Sequence, residues 1–233
     1  RMTKLDIAPR DFEAEPARST FAATYREGRA QVVWTRLIAD LETPVSAMLK
    51  LSDGRPLSCL LESVEGGAVR GRYSIIGIVP DIVWRSFGDK AEINRRPQTH
   101  AHAFEPEPKP TLESLRELLA ASRIDLPQDL PPIAAGVIGY MAYDTIRLIE
   151  RLPNQNPDAL GVPDGVFVRP TLMVVFDAVK DEMIVVTPVR PNPGIDAQTA
   201  YDHALERLRS VVHALDEPLP HATSMSGVEL ALP

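Results

Sequence analysis

Proline placement is the feature that most limits how this chain can fold. The 233 residues include 22 prolines, about 9% of the chain, where about 5% is usual. Proline ends helices and is excluded from central strands, so a proline cluster marks a boundary between elements. The clusters lie at residues 96–110, 126–132, 153–163 and 188–194. This spacing predicts many short elements separated by loops.

The composition is that of an ordinary globular domain, with 44% hydrophobic and 24% charged residues, and it excludes several classes of protein. The net charge of −7 argues against a nucleic-acid surface. The single cysteine, Cys59, excludes a disulfide framework and is interpreted as a buried, inert thiol. No window is apolar for the roughly 18 residues of a membrane helix. Residues 1–10 do not resemble a signal peptide, so we expect a cytoplasmic protein without membrane or nucleic-acid partners.

Apolar, β-branched runs bounded by glycine or proline predict strands. Turn residues at 88–89 and 180–181 predict two hairpins. A further apolar run, residues 133–140, contains Gly136 and Gly139, and we expect another backbone or a ligand to approach closely there. The predicted strands are 58–64, 73–79, 81–87, 90–95, 166–176 and 183–189.

Apolar residues at helical spacing predict three helices. One covers residues 111–122 directly after Pro110, and one lies within residues 12–29 and ends near Gly28. The third begins after Asp196, a suitable N-cap. Its apolar stripe consists of Ala200, Ala204, Leu208, Val211 and Leu215.

Few helices between antiparallel hairpins predict an α+β fold, with mostly antiparallel sheets and flanking helices. We interpret residues 1–233 as one domain, with residues 1–10 and 217–233 as tails. The polar, aperiodic carboxy-terminal stretch stops abruptly at residues 228–233.

Three polar positions interrupt or end the apolar runs. Glu62 and Ser63 can hold a ligand amine through charge-assisted hydrogen bonds, although the residues alone favour a solvent-facing strand edge. Arg72, together with Arg70, can bind a carboxylate or phosphate, but the residues alone favour a solvated turn. Two tyrosines before Asp144 indicate a strand-to-helix junction that Asp144 caps.

No independent catalytic motif is present. The sequence contains no Walker-type phosphate loop, no G-x-G-x-x-G fingerprint and no G-x-S-x-G nucleophile elbow. His100 and His102 form a possible two-histidine metal site, but no third ligand is nearby. We therefore predict no catalytic residue, metal ligand or cofactor in this chain.

Three ordered blocks of sequence resemble one known family. Residues 40–51 read DLETPVSAMLKL, residues 60–77 contain LLESVEGG and GRYSIIG, and residues 136–153 contain GVIGYMAYD and IERLP. These blocks resemble the amino-terminal half of anthranilate synthase component I. Met48 stands where this family often has an aromatic residue, a change that we expect only to repack the site.

The resemblance implies a function for the whole enzyme. Such an enzyme uses ammonia from a glutamine amidotransferase subunit to convert chorismate to anthranilate and pyruvate, the first committed step to tryptophan. The family's catalytic residues and Mg²⁺ ligands lie in its carboxy-terminal catalytic domain. The resemblance therefore implies that this region alone is inactive and that the catalytic domain is its partner.

The resemblance also implies an effector site for L-tryptophan as inhibitor. The family's LLES glutamate and serine correspond to Glu62 and Ser63, and Arg72 is the nearest match to a basic residue that lines the site in some members. Pro44 and Val45 are expected as apolar walls.

Two alternatives remain open from the sequence. One is the amino-terminal half of aminodeoxychorismate synthase component I, which belongs to the folate pathway. The other is a stand-alone amino-acid-binding module. A region made to pack on a second domain exposes apolar surface, so we also expect self-association.

Overall fold

The computed structural model describes residues 12–52, 54–62, 71–153, 157–158 and 160–219. Within these residues the helices are α1 (Arg18–Arg26), α2 (Pro44–Ser52), α3 (Thr111–Ser122) and α4 (Ala197–Asp216). The strands are β1 (Gln31–Ile38), β2 (Cys59–Leu61), β3 (Tyr73–Phe87), β4 (Lys90–Asn94), β5 (Glu105–Pro106), β6 (Ile138–Met141), β7 (Gly165–Asp177) and β8 (Glu182–Val189). Two short 3₁₀ helices are Pro132–Ala134 and Tyr143–Leu148.

One antiparallel sheet contains all the strands in the described residues. Its order is β1-β8-β7-β3-β4-β5, while β2 pairs with β3 and β6 pairs with β7. β3 and β7 are the long central strands, and each pairs with different neighbours along its two halves. The predicted α+β fold is therefore confirmed.

Several elements predicted from the sequence are confirmed. β3–β4 and β7–β8 form hairpins around the expected turns, and α3 has the expected bounds. Asp196 caps α4 by accepting a hydrogen bond from the Thr199 backbone N–H at 2.7 Å. After α1, the chain turns at Gly28, whose φ of +73° favours glycine.

The expected break between residues 73–79 and 81–87 is a bulge inside β3. The register with β7 shifts between Pro80 and Ile82, because a bulge accommodates a proline that lacks a ladder N–H donor. Val79, just before it, has a φ of +51°, which is strained for a β-branched residue. The prediction of two separate strands was wrong at this point.

Gly139 confirms the expected close approach. A Cβ atom at this position would lie 1.9 Å from the Val166 carbonyl oxygen and 2.7 Å from the Phe167 Cα. The neighbouring backbone, rather than a ligand, therefore requires glycine here. Gly136 differs: it has open space and a φ of +148°, so its backbone conformation is the constraint.

Other predictions need correction. Asp144 does not cap a helix: Ala142 precedes the 3₁₀ helix, and Asp144 instead pairs with Arg147 at 2.8 Å. The strand predicted at 58–64 is only three residues long in β2, and the end of the predicted range lies outside the described residues. β1 and α2 were not predicted, and the proline-rich segment 96–110 contains β5. The predicted tails lie almost entirely outside the described residues.

The helices cover the sheet unevenly. α1, α2 and α4 pack on one face, in a core that contains Phe21, Leu51 and Leu208. α3 packs against Trp84 in a separate, smaller cluster. The Trp84 indole N–H donates to the Ser114 hydroxyl at 2.9 Å. None of the helices in the described ranges has the length and apolar character of a membrane span.

Candidate functional site

The amino end of α2 is fixed by a reciprocal pair of hydrogen bonds. The Thr43 hydroxyl accepts from the Ser46 backbone N–H at 3.1 Å, and the Ser46 hydroxyl accepts from the Thr43 N–H at 2.9 Å. This capping arrangement satisfies backbone N–H groups at the start of the helix. Pro44 occupies the first helical position and has no N–H group that would need an acceptor. Val45 follows and is 49% exposed, so the predicted apolar residues stand at a defined, accessible helix start.

An ion pair ties α2 to the end of α4. Lys50 pairs with Glu42, and the two side chains are only 10% and 14% exposed. The Lys50 ammonium also donates to the Leu215 carbonyl at 2.7 Å, where a helix end leaves carbonyl groups without partners. Glu42 accepts in addition from the Ser46 hydroxyl at 2.7 Å. In the sequence, Thr43-Pro44 is a signal for the start of a helix. No residue near Lys50 in the sequence indicates that Lys50 contacts α4.

Glu62 directly follows β2 and is exposed. β2 runs antiparallel to β3, with Leu61 opposite Ile75, and α2 packs beside both strands. The fold thus places β2, which Glu62 follows, beside the helix that begins with Pro44 and Val45. Ser63 lies outside the described residues.

Arg72 precedes β3 at the same end of the β2–β3 ladder, but its guanidinium already has a partner. Its Nε and Nη2 donate to the two carboxylate oxygens of Asp177 at 2.9 and 2.7 Å. This bond and the Val179 N–H hold the pKa of Asp177 below the usual carboxyl range, against the opposing effect of burial. Arg72 also stacks over the Tyr73 ring at 4.8 Å. An anchoring role is therefore visible, and a ligand-binding role for Arg72 stays a prediction.

The remaining candidate residues from the sequence are Cys59, His100 and His102. Cys59 is partly buried, and this burial raises the pKa of its thiol. Within the described ranges, no three or more His, Cys, Asp or Glu side chains group as a metal ion would require. His100 hydrogen-bonds to the Thr99 hydroxyl.

Comparisons with known proteins identify the family. An anthranilate synthase component 1 from Cereibacter sphaeroides is 48% identical over 201 residues, 86% of this chain and 40% of that protein. This chain belongs to the anthranilate synthase component 1 family. Its match to the amino-terminal region, predicted from three sequence blocks, is confirmed.

Two further proteins of that name match over comparable regions. The Synechocystis protein is 36% identical over 88% of this chain and 40% of its own length. The Thermus thermophilus protein is 41% identical over 66% of this chain and 31% of its own length. The chain thus spans less than half the length of these relatives.

A solved structure supports the fold. The crystal structure of anthranilate synthase component I from Streptococcus pneumoniae matches with a TM-score of 0.50 at 21% identity, over 79% of this chain and 37% of that one. At this identity the likeness concerns the fold alone. No family model matches the chain.

Proposed function

We propose that this chain is the amino-terminal, tryptophan-binding region of an anthranilate synthase. In the assembled enzyme, a glutamine amidotransferase supplies ammonia, and a carboxy-terminal catalytic domain converts chorismate to anthranilate and pyruvate. The observation that carries this proposal is the 48% identity over 201 residues to a protein of that name. The region itself performs no chemistry.

Mg²⁺ belongs to the catalytic domain in this proposal. In the described part of this chain, no three or more His, Cys, Asp or Glu side chains form a cluster that could hold a metal ion. The role of this chain is instead to recognise the effector and to provide a scaffold.

The effector site is proposed at the flank formed by the start of α2 and the end of β2. The Glu62 carboxylate pairs with the ammonium group of tryptophan, and the Ser63 hydroxyl adds a hydrogen bond. Pro44 and Val45 form an apolar wall for the indole ring. The supporting observation is that Glu62 is exposed and that α2 packs beside β2.

Inhibition follows if tryptophan binds better to a conformation that binds chorismate poorly. α2 connects to α4 through Lys50 and Leu215. A ligand on α2 therefore acts on an element that is anchored to the rest of this domain.

Calorimetric titration of L-tryptophan into the assembled enzyme tests the effector site. We expect Glu62→Gln to weaken binding roughly tenfold, since a charge-assisted hydrogen bond contributes about 1.5–3 kcal/mol. Ser63→Ala should weaken both binding and feedback inhibition. The control is Glu206→Gln, which removes an exposed carboxylate on α4. Unchanged affinity in both site variants would remove these residues from the site.

Product analysis tests the activity separately. The assembled enzyme, given chorismate and ammonium, should release the ortho-substituted aminobenzoate, anthranilate. The para isomer would instead identify an aminodeoxychorismate synthase. No aminobenzoate, together with tryptophan binding, would favour an amino-acid-binding module.

A further inference from the structure

A small cavity lies between α4, the end of β8 and the loop that follows β8. Its volume is about 200 Å³. Its charged lining consists of Asp81, Arg190 and Arg207, with His203 beside them. The volume is below the 300–1,000 Å³ that is typical of drug-sized sites, so the cavity suits a small ligand.

The positive charge around this cavity exceeds the negative charge. Its only lining carboxylate in the described residues, Asp81, binds Arg169 through two hydrogen bonds of 2.7 and 2.8 Å. That pair uses both carboxylate oxygens. Arg190 and Arg207 therefore line the cavity without a carboxylate hydrogen-bond partner in the part of the chain that the structure describes.

Both arginines also have buried donors without partners. The Nε atoms of Arg190 and Arg207 are buried and make no hydrogen bond within the described ranges. Arg190 uses its Nη2 to donate to the Ser122 carbonyl at 3.0 Å. Buried donors are nearly always satisfied in folded proteins, so two unsatisfied guanidinium donors at one cavity require a physical reason.

Burial disfavours the charged form of both guanidinium groups and therefore lowers their pKa values. Burial, aided by the nearby charge of Arg169, lowers the pKa of Arg190 to about 10. Burial also lowers the pKa of Arg207. Both side chains remain cationic at neutral pH, and the nearby charge of Asp81 only partly offsets their desolvation.

The backbone beside the cavity is strained. The β3 bulge between Pro80 and Ile82 contains Asp81, and it follows the positive φ of Val79. The Thr171 hydroxyl donates to the Val79 carbonyl at 2.6 Å and holds this conformation. Bulges and strained residues concentrate at binding sites, where they direct a side chain. Here the bulge places Asp81 against Arg169.

We propose that this cavity binds a small oxyanion, a carboxylate or a phosphate, between the guanidinium groups of Arg190 and Arg207. An oxyanion beside these guanidinium groups forms charge-assisted hydrogen bonds with them and offsets their desolvation. Asp81 makes its hydrogen bonds to Arg169, which does not line the cavity. The cavity shares no lining residue with the proposed tryptophan site, so the two proposals are independent.

Titration with inorganic phosphate and, separately, with acetate tests this proposal at constant ionic strength maintained with chloride. The readouts are calorimetry and the ¹H–¹⁵N resonances of the two arginine Nε groups. We expect saturable binding, with shifts of both Nε resonances. The anion that binds more tightly identifies the ligand class, phosphate or carboxylate.

A matched pair of variants separates a site from general attraction between charges. Arg207→Gln should weaken anion binding by about tenfold or more, because it removes a charge-assisted donor. Arg209→Gln makes the same charge change at an exposed position of the same helix and should bind like the wild type. Circular dichroism checks folding, and Arg190→Gln replaces Arg207→Gln if that variant unfolds.

Two results would overturn the proposal. One is a wild-type protein that responds to phosphate and acetate no more than to chloride. The other is an equal loss of binding in Arg207→Gln and Arg209→Gln, which would indicate diffuse electrostatic attraction.

Discussion

Asp177 has a buried carboxylate whose negative charge is balanced by one arginine. It is 3% exposed, and Arg72 donates two hydrogen bonds to it. This pair ties the residue before β3 to the last residue of β7. Removing the arginine would leave a buried negative charge without a cation, which is strongly unfavourable.

The first prediction at this scale concerns acid stability. Arg72 holds the folded-state pKa of Asp177 below its usual value, whereas an unfolded aspartate titrates at about 3.9. The stabilisation is therefore complete above the unfolded pKa and is lost as pH falls through the folded pKa. Arg72→Met should raise the folded pKa of Asp177 and so remove this stabilisation near pH 7, which makes the acid-dependent loss smaller than in the wild type.

Urea denaturation between about pH 7 and pH 3 measures this effect. The control variant is Arg29→Met, which breaks the exposed Arg29–Glu27 pair. We expect Arg72→Met to be clearly less stable than the wild type near pH 7, with a difference that shrinks towards pH 3, and Arg29→Met to differ little from the wild type across this range. Identical curves for the two variants would contradict the anchoring role.

The structural role of some single residues can be predicted from the sequence, and that of others cannot. Gly139 was predicted to meet a backbone or a ligand, because glycine weakens a strand unless a close neighbour leaves no room for a side chain. Arg72 was predicted as a turn residue or an anion ligand, and its real partner, Asp177, is 105 residues away. Asp144 matched a local cap pattern, but its side chain pairs with Arg147. Local geometry is readable from sequence, whereas distant partners are not.

At the element scale, α2 depends on the Glu42–Lys50 pair. Because both side chains are mostly buried, Lys50→Met should lower the free energy of unfolding by about 2–3 kcal/mol, near the lower bound for a broken buried pair. The double variant Glu42→Gln/Lys50→Met should recover part of this loss, since it removes the unpaired carboxylate as well.

Denaturant unfolding of the single and double variants gives these free energies. Lys109→Met is the matched control, because Lys109 pairs with Glu117 at the same sequence separation but with both side chains about half exposed. Its loss should be small, because exposed ion pairs contribute little to stability. Similar losses in Lys50→Met and Lys109→Met would show that the pair does not anchor α2.

Elements marked by a turn signal, a cap or a long apolar stripe could be predicted, whereas β1 and α2 were missed. The β3–β4 hairpin has Gly88 at its turn, and α4 has a cap and a long apolar stripe. α2 has only nine residues, too few for a clear helical period. β1 is an apolar run, but its partner β8 lies about 150 residues away, so no hairpin signal accompanies it.

At the scale of the whole molecule, the order of the strands in the sheet could not be predicted from sequence patterns. β1 and β8 pair from opposite ends of the chain, and β3 pairs with β7 across roughly 90 residues. Such pairings depend on which apolar faces fit together. The three sequence blocks show the family without revealing this order.

Several large apolar side chains are exposed on and near β6. Exposed apolar side chains lie on β6, on the following 3₁₀ helix and on the segment before β7. The Tyr140 hydroxyl donates to the Pro163 carbonyl at 3.0 Å and joins these segments. Large exposed apolar groups are typical of interaction surfaces. Their members are Tyr140, Met141, Tyr143, Ile149, Leu160 and Val162.

The last prediction is that this surface makes the chain self-associate when no partner domain covers it. Sedimentation velocity should show an average mass that rises with concentration. Ile149→Ser should weaken the association roughly tenfold, because burying one large aliphatic side chain contributes about 1.5–3 kcal/mol. Val179→Ser is the matched control, since Val179 is 71% exposed and Ile149 is 70% exposed, but Val179 lies in the β7–β8 turn. A monomer at every concentration, or an equal effect of both variants, would contradict an interface at β6.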